Sequence, residues 1–119
     1  MKTKSLPATG IALIALLLGT SEAWADECIL YEHRDYGGYA FTLYSGHRLI
    51  AIDNDFQTTT TTYDSTWNDD ISSFRTTGSC ELTVWEHVNE DGASWRTTKS
   101  YRYVGDDWND IISEAYCVC

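Results

Sequence analysis

The chain has 119 residues, of which 18 are Asp or Glu and 8 are Lys or Arg, giving a formal net charge of −10. This length suits a single domain. The acidity argues against nucleic acid as a partner, because binding to phosphates requires positive charge. Acidic side chains keep a surface well solvated, and concentrated carboxylates also suit hard cations, which take oxygen ligands.

The first 25 residues have the three regions of a secretory signal peptide. Lys2 and Lys4 precede an apolar run at residues 11–18, and Ala-Trp-Ala at residues 23–25 provides a cleavage signal. The apolar run is too short to span a membrane, and no second one follows. We therefore expect a soluble secreted protein, extracellular or periplasmic, whose mature residues 26–119 contain 17 acidic and 6 basic side chains, a charge of −11.

The mature sequence consists of short runs rich in aromatic and β-branched residues, without a sustained helical period. This pattern predicts an all-β fold. The segments CILYEH and YAFTLY flank RDYGG, while CELTVWEH and SWRTTKSY flank VNEDG. Each half of the chain therefore contains a predicted β-hairpin with glycine in its turn.

Residues 53–64, DNDFQTTTTTYD, make the first half longer than the second. Gly38 and Trp67 are 29 residues apart, whereas Gly92 and Trp108 are 16 apart. A threonine run has high β propensity but little to bury, so we expect a mobile surface loop or an extended edge. Long loops in compact domains also carry binding functions.

The two halves repeat each other. WNDDISSF in the first half returns as WNDIISEAY in the second, and Tyr31 aligns with Trp85. A glycine follows seven residues after each of these aromatics, at Gly38 and Gly92. A repeat of about 50 residues, in which neither half can cover its own hydrophobic face, predicts two similar units packed as one sandwich.

Four cysteines remain in the mature chain: Cys28, Cys80, Cys117 and Cys119. An even number in a small exported domain indicates disulfides rather than a zinc or redox site. A bridge between Cys117 and Cys119 would span a single residue and strain the geometry. We therefore expect Cys28 and Cys80 each to bond one of the other two, in either combination, with each bridge adding roughly 2–4 kcal/mol.

The aromatic-to-glycine spacing of YEHRDYGG and WEHVNEDG resembles the Greek key motif of the βγ-crystallins. Calcium-binding members of that superfamily carry Asn/Asp-Asn/Asp-x-x-Ser/Thr-Ser late in each motif. NDDISS matches all six positions, and NDIISE matches five. The resemblance covers the mature chain and implies a disulfide-stabilised sandwich of antiparallel sheets, with Greek key motifs at about residues 26–78 and 79–119.

The same resemblance implies about two Ca²⁺ sites, each drawing ligands from both late stretches and from a main-chain carbonyl just after the first aromatic. The implied carbonyl ligands belong to Glu32, Asp70, Glu86 and Ile111. The implied side-chain ligands belong to Asn68, Asp69, Ser72, Asn109, Asp110 and Ser113. Together they supply the carboxylate, amide, hydroxyl and carbonyl oxygens that calcium takes.

The second half departs from this pattern at two positions. The resemblance gives Ser73 a structural role, tying the late strand to the folded hairpin, and Glu114 replaces it in the second half. Glu90 replaces the second aromatic, which is Tyr36 in the first half. We therefore expect weaker hairpin support and looser calcium binding in the second half.

Little in the sequence supports catalysis. No serine lies in a nucleophile elbow, and the equivalent repeat positions of His33 and His87 favour a structural role. We expect a monomeric, non-enzymatic calcium-binding protein with a structural or stress-related extracellular role.

The alternative, implied by the same superfamily, is a secreted metalloproteinase inhibitor or a killer-toxin-like protein. It would act through residues 53–64 on a secreted protease or a cell-surface target. The two late stretches favour calcium, since an inhibitor or toxin does not need both. The long segment and the four cysteines keep the alternative open.

Overall fold

The computed structural model describes residues 26–119, and the predicted signal peptide lies outside them. The aromatic and β-branched runs form strands, as expected of such residues. The eight strands of residues 26–119 are β1 Glu27–His33, β2 Gly37–Tyr44, β3 Arg48–Ile50, β4 Thr61–Tyr63, β5 Ser73–Thr76, β6 Glu81–His87, β7 Asp91–Thr97 and β8 Glu114–Val118. Short 3₁₀ turns lie at Arg34–Tyr36 and Ser65–Trp67. Within this range no helix is long and apolar enough to cross a membrane.

The strands form two sheets. The smaller sheet has the antiparallel order β2-β1-β5, and the larger has the order β4-β3-β8-β6-β7. Pairing in the larger sheet is antiparallel except between β3 and β4, which run parallel. Strand β3 of the first half lies beside β8 of the second, and Tyr101 of the second half bridges to Phe74 in β5. Each half therefore contributes a segment to the sheet of the other.

Each predicted hairpin turns at its glycine. Gly38 has a φ of +74° and Gly92 a φ of +77°, a region that side chains with a Cβ rarely adopt. A Cβ on Gly38 would lie 2.6 Å from His33 Cδ2, and one on Gly92 would lie 2.7 Å from Glu86 Oε1. Both backbone conformation and space therefore require glycine at these two positions.

The core takes side chains from both sheets. Alternate residues of β1 and β6 are buried, as expected for strands with one face toward the core. The buried cluster consists of Cys28, Leu30, Leu43, Leu49, Ala51, Trp67, Ile71, Phe74, Cys80, Leu82, Val84, Val104, Ile112, Ala115 and Cys117. Because both halves supply these residues, the predicted sandwich of two packed units is confirmed.

Two disulfides attach both halves to the last strand. Cys28 in β1 bonds Cys117 in β8, and Cys80, just before β6, bonds Cys119. This confirms the prediction that Cys28 and Cys80 each pair with one of the last two cysteines, and it decides between the two combinations that the spacing left open.

The segment of residues 53–64, called the insert from here on, is partly strand. Thr61 and Thr62 belong to β4, which pairs with β3 at the edge of the larger sheet. The Gln57 side chain donates to the Tyr63 carbonyl at 3.0 Å and accepts from the Tyr63 N–H at 2.9 Å. Phe56 is 69% exposed. The expectation of an extended edge is thus confirmed for the end of the threonine run.

Ser73 supports the first hairpin, as predicted. Its Oγ accepts a hydrogen bond from the Tyr36 N–H at 3.1 Å and donates one to the His33 carbonyl at 2.6 Å. The Tyr36 ring lies against Tyr31, with centroids 5.4 Å apart. The hydroxyl and the aromatic pair together hold the folded hairpin over the sheet.

The expectation of weaker support in the second hairpin is wrong. Glu114 Oε1 accepts from the N–H groups of Asn89 at 2.7 Å and Glu90 at 3.4 Å, because a carboxylate accepts more hydrogen bonds than a hydroxyl. Its other oxygen bonds Arg48, whose guanidinium also pairs with Glu90 at 3.0 Å. The same guanidinium lies 5.3 Å from the centroid of the Trp85 ring. Arg48 thus replaces the missing second aromatic.

Candidate metal centre

The two repeated stretches, the first hexamer at residues 68–73 and the second hexamer at residues 109–114, lie side by side. The Asp69 N–H donates to the Ile112 carbonyl at 3.2 Å, and the Asp110 N–H donates to the Ile71 carbonyl at 3.4 Å. These are equivalent positions of the repeat, so the hexamers are related by a local twofold arrangement. The sequence-based expectation that the loops pair agrees with this geometry.

The serine of each hexamer forms a hydrogen bond to an asparagine of the other hexamer. Ser72 Oγ donates to Asn109 Oδ1 at 2.6 Å, and Ser113 Oγ donates to Asn68 Oδ1 at 2.8 Å. Both serines are only 7% exposed. Each cluster of oxygen atoms is therefore built from a buried hydroxyl of one hexamer and an amide of the other.

The backbone holds both serines against the first strand of their own half. The Ser72 N–H donates to the Tyr31 carbonyl, and the Ser113 N–H donates to the Trp85 carbonyl, each at 3.0 Å. Tyr31 and Trp85 are the first aromatics of the two motifs. The residue after each aromatic is thereby brought next to a hexamer, where the predicted carbonyl ligands would be needed.

The second cluster is an open cleft of about 390 Å³. Six predicted ligand residues line it: Asn68, Asp69, Glu86, Asp110, Ile111 and Ser113. Ser113 Oγ also lies 3.4 Å from both Asp69 Oδ1 and the Ile111 carbonyl oxygen. The remaining lining residues, none of them predicted as a ligand from the sequence, are Ile52, His87 and Val88.

The other four predicted residues, which we call the first cluster, form two contacts: Ser72 bonds Asn109, and the Asp70 carboxyl interacts with Glu32. Partial burial raises the pKa of the Asp70 carboxyl, and the neighbouring Glu32 carboxylate raises it further. Asp110 acts in the same direction, while His33 lowers the Asp70 pKa. Asp110, which lines the second cluster, therefore also affects a carboxyl of the first. A cation bound here would relieve the repulsion among these carboxylates.

The side chains of Glu32 and Glu86 have a role that sequence reasoning missed. Glu32 Oε1 accepts from the Tyr39 N–H at 3.5 Å, and Glu86 Oε1 accepts from the Ala93 N–H at 3.2 Å. Each carboxylate therefore supports the strand after its own hairpin turn. The signal was present in the sequence, since a glutamate follows the first aromatic in both halves.

The two clusters offer oxygen atoms of several kinds: carboxylate, amide, hydroxyl and main-chain carbonyl. Hard divalent cations prefer oxygen ligands, and Ca²⁺ tolerates irregular geometry with six to eight of them. Asp69 and Asp110 have φ values of 56° and 57°. Aspartate tolerates this left-handed conformation better than most residues, which explains acidic residues at these two turns.

Comparison with solved structures identifies the fold. A betagamma-crystallin domain from Clostridium beijerinckii is 21% identical, with a TM-score of 0.60 over 77% of this chain and 97% of that one. A betagamma-crystallin domain from Flavobacterium johnsoniae is 21% identical, with a TM-score of 0.61 over 77% and 93% of the two chains.

A third similar structure is the betagamma-crystallin domain of the Abundant Perithecial Protein from Neurospora crassa, in its Ca²⁺-bound form. It is 21% identical, with a TM-score of 0.58 over 78% of this chain and 88% of that one. No protein-family model and no curated protein matches the sequence. The chain therefore has the βγ-crystallin fold, as its hairpin and hexamer patterns predict.

Proposed function

We propose that this protein is a secreted calcium-binding domain that takes about two Ca²⁺ between its paired hexamers and has a structural or stress-related extracellular role. The observation that carries the proposal is the reciprocal pair of Ser-to-Asn hydrogen bonds across the hexamers. Asparagine-rich turns form readily from local hydrogen bonds alone. Two equivalent bonds, each from a buried hydroxyl of one hexamer to an amide of the other, instead favour a shared binding function.

Charge supports the same proposal. Burial raises the pKa of Asp70 in the first cluster, and the carboxylates of Glu32 and Asp110 raise it further. Keeping these groups together in a protein of net charge −10 opposes folding unless a cation joins them. The similar domain from Neurospora crassa has been solved in a Ca²⁺-bound form, so another protein with this fold binds the ion.

The residues of this chain would supply oxygen ligands to two calcium sites. In the second cluster, Ser113 and Asn68 would supply neutral oxygens, and Asp69 a carboxylate. In the first cluster, Ser72 and Asn109 would be their equivalents. Calcium would contribute charge neutralisation and a link between the halves of the domain, since each site contains residues from both hexamers.

The test is calorimetric titration of residues 26–119 with Ca²⁺, and with Mg²⁺ as the matched ion. We expect about two Ca²⁺ per chain and much weaker Mg²⁺ binding, because Mg²⁺ demands near-ideal octahedral geometry and dehydrates reluctantly. Absence of Ca²⁺ binding at millimolar concentration would refute the proposal. Equal binding of both ions would reduce it to nonspecific attraction by an acidic surface.

A second candidate function, inhibition of a secreted metalloprotease, is favoured by one observation on the insert. The loop is fixed by the two hydrogen bonds between Gln57 and Tyr63, yet it leaves Phe56 69% exposed. An ordered loop with an exposed aromatic suits a protein partner. Phe56→Ser should abolish inhibition in a panel of secreted metalloproteases, whereas Tyr44→Ser, at another exposed aromatic, should not. No inhibition by the parent protein would remove this candidate.

A further inference from the structure

The sulfur atoms of the two disulfides meet in one cluster. Cys117 Sγ lies 3.8 Å from Cys119 Sγ, although each belongs to a different disulfide. The sulfurs of Cys28, Cys80 and Cys117 all lie within 4.8 Å of one another. The disulfides are therefore adjacent, and a sulfur freed from one faces a sulfur of the other.

The two disulfides differ in their access to solvent. We call Cys28–Cys117 the inner disulfide and Cys80–Cys119 the outer disulfide. Cys28, Cys80 and Cys117 are 0% exposed, whereas Cys119 is exposed. Thiol–disulfide exchange needs a thiolate to reach a sulfur atom. Among these four cysteines, Cys119 therefore offers an external thiol the most open approach, while both cysteines of the inner disulfide are buried.

Hydrogen bonds keep Cys119 close to the inner disulfide. The Cys119 N–H donates to Ser45 Oγ at 2.8 Å, and the Cys117 N–H donates to the His47 carbonyl at 3.1 Å. These bonds do not involve the sulfur atoms. Opening the outer disulfide therefore leaves the end of β8 anchored to the turn between β2 and β3.

We propose that Cys119 is a thiol-exchange site through which a dithiol reductant reduces the buried inner disulfide. A thiolate of the reductant attacks Cys119 Sγ, the outer S–S bond breaks, and Cys80 leaves as a thiolate that takes a proton. The second thiol of the reductant then displaces Cys119 as a thiolate. The reductant leaves as a disulfide, having supplied two electrons.

The second step is internal. The Cys119 thiolate attacks Cys117 Sγ at 3.8 Å, forming a Cys117–Cys119 bond and releasing Cys28 as a thiolate that takes a proton. A bridge across a single residue is strained, so it is readily reduced by a second dithiol molecule. The link between both halves and β8 is thus controlled at Cys119, the one exposed residue among the four cysteines.

Two matched single variants test the relay. Cys80→Ala leaves Cys119 as a free exposed thiol beside the inner disulfide, whereas Cys119→Ala leaves Cys80 as a fully buried thiol. Each is treated with the same dithiol below its melting temperature, quenched with acid, and mapped by mass spectrometry. The inner disulfide should be lost at least ~10-fold faster in Cys80→Ala, since exposure of the thiol governs its reactivity. Equal rates in the two variants would overturn the proposal.

Transient unfolding is the competing route, and two measurements separate it from the relay. Near-UV circular dichroism verifies that each variant is folded. Low urea should leave the rate of inner-disulfide loss in Cys80→Ala unchanged. Acceleration of that loss by urea would mean that unfolding exposes the inner disulfide and would refute the relay. If a variant does not fold, timed alkylation of the parent protein during reduction distinguishes the relay from transient unfolding. A two-electron-reduced species with a Cys117–Cys119 bond and alkylated Cys28 and Cys80 supports the relay. Loss of both disulfides without that species refutes it.

Discussion

At the scale of single residues, the two hexamer serines matter most, because each donates its hydroxyl hydrogen to the other hexamer. Ser72 bonds Asn109, Ser113 bonds Asn68, and both serines are almost fully buried. A larger side chain at either position would break the hydrogen bond to the other hexamer. Substitutions at either serine should therefore disturb both hexamers.

Ser113→Arg should weaken the proposed calcium binding at least ~10-fold, because the substitution would remove a proposed oxygen ligand and introduce a cation. The same substitution at Ser94, an exposed position in β7, is the matched control and should leave binding unchanged. Calorimetric titration with Ca²⁺ measures both variants. Parental affinity and stoichiometry in Ser113→Arg would show that the serine is an ordinary turn residue.

Asp70 gives the calcium-free protein a pH dependence. Its pKa is raised above the usual 3.8, first by burial and then by Glu32, so the folded state favours the protonated form. The associated stability is fully present below the unfolded-state pKa and is lost as the pH rises through the folded-state pKa.

Asp70→Asn should therefore raise the thermal midpoint of the calcium-free protein at pH 7, and its advantage over the parent should vanish below about pH 4. Melting curves in calcium-free buffer at several pH values provide the measurement. Asp55→Asn, on the exposed insert, is the control. An advantage of equal size at pH 7 and at low pH would contradict the assigned cause.

At the scale of elements, β3 joins the two halves. It pairs with β8, and the residue that follows it, Ala51, donates its N–H to the Ser113 carbonyl at 2.9 Å. Val104 of the second half makes the equivalent bond to the Ser72 carbonyl, also at 2.9 Å. Each hexamer is thus anchored by a segment of the opposite half.

Arg48 at the start of β3 should be the most sensitive charged residue of this junction. Glu114 is only 2% exposed, and removing one partner of a buried ion pair costs about 3–5 kcal/mol. We expect Arg48→Met to lose that much free energy of unfolding in urea titrations. Arg96→Met, which breaks an exposed 3.9 Å pair with Glu81, should lose less than about 1 kcal/mol. Similar losses in both variants would show that the Arg48–Glu114 pair adds little.

At the scale of the whole molecule, the proposed calcium binding and the two disulfides would stabilise the fold by independent means. An ion that binds only the folded state adds about 2.7 kcal/mol per site at 100 times its dissociation constant. Disulfides restrict the unfolded chain whether or not the ion is present.

Millimolar Ca²⁺ should therefore raise the thermal midpoint, and the chain should still be folded in EDTA with its disulfides intact. Calorimetric melting of the parent with EDTA, with Mg²⁺ and with Ca²⁺ tests this, with Ser113→Arg as the variant whose midpoint should rise less. An identical midpoint in EDTA and Ca²⁺ would argue against binding to the folded state.

The sequence alone predicted the features that depend on local chemistry. Strands follow from aromatic and β-branched runs, and Gly38 and Gly92 follow from a turn with positive φ. The repetition of the hexamer was visible in the sequence, whereas the pairing of the two hexamers was expected only from the resemblance to the βγ-crystallins. A native Cys117–Cys119 bridge could also be excluded from the sequence, because a disulfide that spans a single residue is strained.

The tertiary structure decided everything that depends on which distant groups meet. Spacing could not choose the partner of Cys28, because both candidates lie two residues apart at the end of β8. In the sequence, Glu114 stands out only because it replaces the serine of the first half. Its support of the second hairpin depends on the N–H groups of Asn89 and Glu90 lying 2.7 and 3.4 Å away. Residue patterns record local preference, whereas contacts across the sandwich arise only when the two halves pack and exclude water.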